Sequence, residues 1–300
     1  MIGIVTITYN SEKVIKGFIN SVVNQTYSDF YVYIIDNKSS DNTLKILEDY
    51  QDDRIRLLKN DSNIGVAKAN NIGVKLAIKD GCDKILIINN DVEFENDLIR
   101  KMLHVQGQEN CSLVVPKMMY FDNTNIIWYA GSYFSRWNGF SPIHVGLREI
   151  DKGLYDGVYE VDYAPTCCLL INKQVFNDIG FMDEKYFVYF DDTDFLYRVF
   201  KNKKHKLIYF SDVKFFHKVG SLTLSIDYIN KKQYRSDFFL SQNTRNHVYF
   251  LRKLGTFYSY LYICYLFFRN NLRIITNSKI KTNYKTFMLI NRSYFEGFRL

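Results

Sequence analysis

Ile85-Leu86-Ile87-Ile88-Asn89-Asn90-Asp91-Val92-Glu93-Phe94 joins four apolar, mostly β-branched residues to a polar triplet. The apolar run reads as a buried strand, and the strand must end at Asn89-Asn90-Asp91. Open α/β sheets hold ligands beyond the carboxyl ends of their strands, so a carboxylate here faces a crevice. Asp91 is on that ground an anchor for metal and phosphate. The alternative is that Asn90-Asp91 only turns the chain.

Upstream, Ile4–Thr8 is a strand by β-branching, and Tyr9-Asn10-Ser11-Glu12 is a loop before a helix that runs toward Asn24. Val14, Ile15, Phe18, Ile19, Val22 and Val23 give that helix one apolar stripe. Tyr31–Ile35 is a second strand, closed by Asp36-Asn37-Lys38-Ser39-Ser40-Asp41. Thr43–Tyr50 is helical and Ile55–Leu58 a short third strand. Asn63-Ile64-Gly65-Val66-Ala67-Lys68 leads into a helix from about Ala69 to Lys79. This alternation demands an α/β fold with a mostly parallel central sheet covered by helices on both faces. Polar clusters follow the first, second and fourth strands, so Thr8, Asp36 and Asp91 should converge at one sheet edge. No Gly-x-Gly-x-x-Gly follows the first strand and no P-loop lysine is present, so phosphate is not held by a glycine cradle.

Composition narrows the class. Three hundred residues, 47% apolar, support a large core, and three prolines argue against linkers. The five cysteines, Cys82, Cys111, Cys167, Cys168 and Cys264, lack metal-site spacing and read as reduced thiols of a cytosolic protein. The first residues enter a strand without the basic start of a signal peptide, which predicts a cytoplasmic location. Charge is asymmetric: residues 1–200 hold 20 Lys+Arg against 28 Asp+Glu, residues 201–300 hold 19 against 4. A basic tail behind an acidic body suggests an anionic partner for the tail.

Taken in order, Val5-Thr6-Ile7-Thr8-Tyr9-Asn10, Asp36-Asn37-x-Ser39-x-Asp41, Asn63-x-Gly65 with Asn70 and Gly73, and Asn89-Asn90-Asp91 resemble glycosyltransferase family 2. Gly180-Phe181-Met182-Asp183-Glu184-x-Tyr186-Phe187-x-Tyr189-Phe190-Asp191-Asp192-x-Asp194 resembles the segment that carries the catalytic base in its rhamnosyltransferase-like branch. The match covers roughly residues 2–221. It implies the GT-A nucleotide-diphospho-sugar transferase fold, with a catalytic domain over 1–222. Within it, 1–110 would be the nucleotide-sugar half and 111–222 the acceptor and base half, and 223–300 a basic, aromatic helical extension.

Sugar transfer from a nucleotide-diphosphate donor needs a base for the acceptor hydroxyl and neutralisation of the leaving diphosphate. A divalent cation, Mn²⁺ or Mg²⁺, does the second through oxygen ligands, and Asp91 suits that role. The family pattern there is Asp-x-Asp; Asn89 replaces its first member and removes one charge. His217, at the end of an apolar strand, is either bonded to backbone or, as the resemblance implies, completes the metal site. Asp191-Asp192-Thr193-Asp194 suits a helix N-terminus and a base site alike. By position in the family motif Asp192 is the base and Asp191 the runner-up, while Asp194 caps or orients. A single base with no second nucleophile in view gives inversion. Thr8 and Asp36 bind the nucleotide, since a carboxylate accepts from the imide N–H of uracil or thymine. Tyr9, Asn10, Asn37 and Asn90 join them as donor contacts. Lys68 reaches the diphosphate or is simply a solvated helix lysine. Trp137 stacks on acceptor sugar or fills core. Thr166, in Pro165-Thr166-Cys167-Cys168, stands where the resemblance puts a loop shaping the acceptor side.

Phe257–Phe268 is an apolar-aromatic run of 12 residues, short of the roughly 20 that span a bilayer. Arg269, Arg273, Lys279, Lys281 and Lys285 follow it. Two readings stand: amphipathic helices on an anionic membrane surface, peripheral at the inner face of the cell membrane, or a helical pair docked on the catalytic domain or forming a homodimer. Nucleic acid is not expected, because no recognised module accompanies the charge. The whole predicts an inverting glycosyltransferase that moves a sugar from a UDP- or dTDP-sugar, of rhamnose or galactose type, to a saccharide or lipid-linked glycan in surface polysaccharide synthesis. The alternatives are a catalytically silent nucleotide-sugar or glycan binder of the same fold, and a sugar-phosphate nucleotidyltransferase. The latter needs a glycine-rich basic loop after the first strand, which Thr8-Tyr9-Asn10-Ser11 is not.

Overall fold

The computed structural model describes residues 1–218, 224–227, 232–277, 280 and 283–300. The chain forms two compact units, Met1–Phe134 with Pro142–Glu184 and Asp191–Val219, and Ser135–Ser141 with Lys185–Phe190 and Gly220–Leu300.

In the first unit, β1 (Ile2–Thr8), α1 (Ile15–Val23), β2 (Phe30–Asp36), α2 (Thr43–Glu48), β3 (Ile55–Lys59), α3 (Val66–Lys79) and β4 (Lys84–Ile88) follow the expected alternation. β5 (Val92–Phe94), α4 (Leu98–Gln108), β6 (Leu113–Pro116), β7 (Met118–Tyr120), β8 (Ile127–Tyr129), β9 (Ser132–Phe134), β10 (Pro142–His144) and β11 (Val158–Glu160) come next. β12 (Cys168–Asn172), α5 (Lys173–Ile179), α6 (Asp191–Asn202), β13 (Leu207–Phe210) and β14 (Phe215–His217) complete it. The main sheet runs β11-β13-β6-β12-β4-β1-β2-β3, and a second one runs β5-β14-β7-β8. β1 pairs parallel with β2 and β4, whereas β12 enters antiparallel between β4 and β6. The sheet is therefore mixed, with a parallel half that carries the sequence motifs. Ile85, Leu86, Ile87 and Ile88 are all buried, as a strand covered on both faces requires.

α3 begins at Val66, three residues before the expected start. Gly65, at φ +84°, turns the chain into the helix in a backbone region that residues with a Cβ rarely enter. α3 then lies hard against β1: a Cβ on Gly73 would stand 2.4 Å from Val5 Cγ1, and one on Gly3 would stand 2.4 Å from Ala77 Cβ.

The second unit holds β15 (Leu224–Asp227), β16 (Lys232–Arg235), α7 (Asp237–Leu254), α8 (Phe257–Thr276) and α9 (Tyr284–Arg299). Its core joins Val248 and Leu251 of α7, Ile263 and Leu266 of α8 and Tyr294 of α9. Residues 135–141 and 185–190, expected in the catalytic half, fall in this unit instead. One reason is local: Asn246 of α7, fully buried, donates to Val188 O at 2.8 Å and to Tyr189 O at 2.9 Å. The 222/223 boundary, Lys279 and Lys281 lie outside the described residues. Among those described, no helix is long and apolar enough to cross a membrane.

Gly73→Ala should lower stability by about 1–3 kcal/mol, because the new methyl must push α3 off β1. A urea midpoint equal to that of the unchanged protein would show that this contact yields freely.

Candidate active site

The strand ends deliver the first cluster. Thr8 and Asp36 lie side by side in the parallel register of β1 and β2. Thr8 donates to Asp36 Oδ2 at 2.8 Å, the Ser39 hydroxyl donates to the same oxygen at 2.6 Å, and Ser39 N–H donates to Oδ1 at 2.9 Å. Asp36 is fully buried. Its carboxylate thus braces the loop through three accepted bonds, two at Oδ2 and one at Oδ1. Asn37 is likewise buried, bonded through its amide to Gly65 O and from Asn60. Exposed groups lie next to them: Tyr9, and Asn10, whose side chain accepts from Ser40 N–H at 2.8 Å.

Asp91 leaves β4 where the strand ends, and Asn90 donates to Ile7 O, tying the turn to β1. Because His217 pairs with Val92 in the antiparallel β5–β14 register, the imidazole comes beside the neighbouring Asp91. Asp91 Oδ1 and His217 Nε2 are 3.3 Å apart. Yet Asp91 Oδ1 is buried with no hydrogen-bond partner, so this approach is off-line for a hydrogen bond. An orphaned carboxylate oxygen facing an imidazole nitrogen is a donor pair that fits a divalent cation. Among the described residues no third His, Cys, Asp or Glu joins them. That suits an ion of the Mg²⁺ or Mn²⁺ type, whose remaining positions are filled by substrate phosphate and water. Asn89 is exposed, and its backbone N–H donates to Cys167 O at 3.0 Å.

The third cluster opens α6. Asp192 accepts from the Tyr163 hydroxyl at 2.6 Å, from Thr193 N–H at 2.6 Å and from the Thr193 hydroxyl at 3.3 Å. Asp191, next to it, is almost fully buried; burial first and the Asp192 charge second push its carboxyl up to about 8. Burial raises Asp192 as well, but its three donors favour the ionised form. The pair is therefore divided: burial and the Asp192 charge favour the protonated form of Asp191, and the donors around Asp192 favour its ionised form. Burial, then Asp91 and Asp192, push the Cys167 thiol up, so Cys167 lies in the field of both carboxylates. The anchor and the base site thus share one neighbourhood.

Two residues preceding Asp191, Tyr189 and Phe190, have φ of +67° and +68°. Aromatic side chains rarely adopt this left-handed backbone, and such strain gathers at functional turns. Ring contacts also run between the clusters: Trp128 packs edge-on against His217 at 4.4 Å, His144 lies 6.2 Å from Trp128 and 5.9 Å from Tyr163. Burial pushes His144 down to about 4, which leaves it neutral. Tyr163 and His144 belong to no motif, and neither was legible as a site residue. Asn71 is a third such residue: it accepts from Met182 N–H at 3.0 Å and donates to Met182 O at 2.9 Å, fixing the Gly180–Glu184 segment to α3.

The remaining candidates separate. Lys68 is exposed on the first turn of α3. Thr166 is buried in the loop before Cys167. Asp194 is buried and ion-paired with Arg198 at 2.9 Å, an arrangement that orients it within α6. Trp137 does not fill core: it is 73% exposed in the second unit, on a short turn over Arg136–Asn138.

An α/β sheet with a carboxylate at the end of β4 and a second carboxylate site opening α6 accords with the GT-A glycosyltransferase fold that the sequence resemblance implied. The model of glycosyl transferase family 2 matches residues 3–180, and the chain belongs to that family. It is 26% identical to the dTDP-rhamnosyl transferase RfbF of Shigella flexneri over 75% of this chain and 72% of that protein. It is also 26% identical to the low-salt glycan biosynthesis hexosyltransferase Agl10 of Haloferax volcanii, over 66% of this chain and 61% of the relative. Among solved structures, S. aureus TarS 1–349 with UDP aligns at a TM-score of 0.56 and 18% identity, covering 83% of this chain and 65% of that one. GalNAc-T7 with UDP, GalNAc and Mn²⁺ aligns at 0.61 and 13%, covering 84% and 47%. At these identities the structures show the shared fold.

Asp191 has an ordinary value of 3.8 and a folded value of about 8. Its contribution to stability is complete below the first and is lost as pH rises through the second. Asp191→Asn should gain in melting temperature over the unchanged protein as pH rises from about 5 to about 8. A margin that stays flat would show that Asp191 ionises normally.

Proposed function

We propose that the protein catalyses inverting transfer of a sugar from a UDP- or dTDP-sugar to a hydroxyl of a saccharide or lipid-linked glycan. The observation that carries this is the carboxylate pair opening α6: Asp192 is held by Tyr163 and Thr193, while burial and the Asp192 charge favour the protonated form of Asp191 beside it. That division leaves Asp192 as the member suited to take a proton from the acceptor hydroxyl. Asp192 Oδ takes the hydroxyl proton as the oxygen attacks the anomeric carbon from the face opposite the diphosphate, giving inversion in one displacement.

Asp91 and His217 would hold a Mn²⁺ or Mg²⁺ ion, which when bound neutralises the diphosphate leaving group. Two protein ligands leave room for phosphate oxygens, and Mn²⁺ in GalNAc-T7 supports this choice. The Asn89 side chain, one charge short of the family pattern, serves as a neutral donor contact. Tyr9 and Asn10 line the nucleotide beside the braced Asp36, with Asn37 and Asn90 fixing the loops and Lys68 near the diphosphate. UDP and UDP-GlcNAc in TarS and dTDP in the name of RfbF support a pyrimidine donor. Trp137 and Thr166 remain acceptor-side candidates. A role in surface polysaccharide assembly, peripheral at the inner membrane face, accords with the exposed apolar residues of α8 and α9, including Phe257, Phe268, Ile275 and Tyr284.

A melting-temperature screen of UDP-, dTDP- and GDP-sugars with and without Mn²⁺ tests the donor reading, since a ligand bound only by the native state raises the midpoint. Protection by a pyrimidine donor only when metal is present is expected; protection by none would sink it. Asp192→Asn should cut turnover by roughly 10²–10⁴-fold while the donor still protects. Full turnover would remove Asp192 from the base role. Tyr163→Phe removes a donor that stabilises the Asp192 carboxylate, so the acidic limb of the rate profile should move to higher pH. An unmoved limb would show that Tyr163 only packs.

A further inference from the structure

Within the second unit, α7, α8 and α9 enclose a depression of about 480 Å³, solvent included. Arg235, Arg269 and Arg273 line it, with the amides of Asn243, Asn270 and Asn277, and no carboxylate is among its described lining residues. Arg269 and Arg273 set two like charges one helical turn apart, and desolvating a guanidinium is costly unless an anion meets it. Arg269 shows the imbalance directly. Its side chain donates once to the Tyr262 hydroxyl at 2.9 Å, whereas its Nε is buried with no hydrogen-bond partner. Burial first, and then Arg273 among its neighbours, push the Arg269 guanidinium down, and no carboxylate is among the groups that offset this.

His247, which also lines the depression, is already engaged with Gly139 O at 3.2 Å and the Ser141 hydroxyl at 3.3 Å, and burial holds it neutral. The charge of the pocket is thus that of its arginines. Planar guanidinium forks and amide N–H groups are the donors that match a phosphate.

We propose that this pocket binds a phosphate-class anion, with Arg269 and Arg273 as its principal ligands. The inference rests on the second unit alone and stands whether or not the transfer reading holds. The position on α8 says what form the anion takes. Phe268 and Leu272 precede the two arginines and are 71% and 60% exposed, so the pocket borders an apolar helix face. A phosphate carried on a lipid would place its headgroup among the arginines and its chains along that face; a free phosphate would use the arginines only.

The test uses the full chain in EDTA and reads binding, without donor or acceptor. Inorganic phosphate should raise the melting temperature above that in chloride of equal ionic strength. Arg269→Gln/Arg273→Gln should weaken phosphate binding about tenfold or more, since two charge-assisted contacts are removed. Arg292→Gln/Arg299→Gln, which removes two charges on α9 outside the pocket lining, should leave it unchanged. Where the first pair unfolds the protein, the exposed Arg273→Gln alone serves. Flotation with phosphatidylglycerol against phosphatidylcholine vesicles separates the sources. Capture by the former, reversed by free phosphate and lost in the pocket variant, assigns a lipid headgroup; phosphate binding without vesicle capture assigns a soluble anion. Absence of protection by phosphate together with absence of vesicle capture, or equal losses in the two variant pairs, overturns the proposal.

Discussion

The site depends on one strand being hydrogen-bonded on both sides. β4 pairs parallel with β1 and antiparallel with β12, and this fixes where Asp91 leaves the sheet. The bond from Asn89 N–H to Cys167 O ties the same end to the loop before β12, the loop that follows Tyr163. A shift of β4 by one residue would exchange its faces and move Asp91 off the crevice. With Ile85 to Ile88 buried on both faces, a slip would draw Lys84 or the exposed Asn89 into the apolar layer, so the register is held by the core.

From that constraint the chemistry divides into an electrostatic half and a proton-transfer half. At the first, a buried carboxylate oxygen without a partner faces an imidazole, a donor pair that would fit a cation. At the second, two adjacent carboxyls are driven apart in acidity by their surroundings. Asp191 is buried, which favours its protonated form, whereas Asp192 is supplied with hydroxyl and amide donors. Two neighbouring residues of one type thereby acquire different roles.

The helical unit follows another logic. Its core is small and mostly aliphatic, and its arginines are placed where packing leaves a pocket. Asn246 also holds the turn that leads directly into Asp191, so α7 supports a segment preceding the base site in the chain.

Sequence alone determined the order of elements in the first hundred residues, because strands buried on both faces must be continuously apolar and ligand-bearing loops must be polar. It also offered Asp91, Asp191, Asp192 and His217 as candidates, through residue type and through position in the motifs that resemble the family's. What it did not determine were the partners that come from far along the chain. Tyr163 meets Asp192 across 29 positions, and Asn71 meets Met182 across 111. Nothing in the local pattern distinguishes these residues from any buried tyrosine or asparagine. The antiparallel entry of β12, the bracing of Asp36 and the gathering of the arginines on α8 were likewise decided only by tertiary packing. Each depends on which surfaces meet, and periodicity along a chain does not record that.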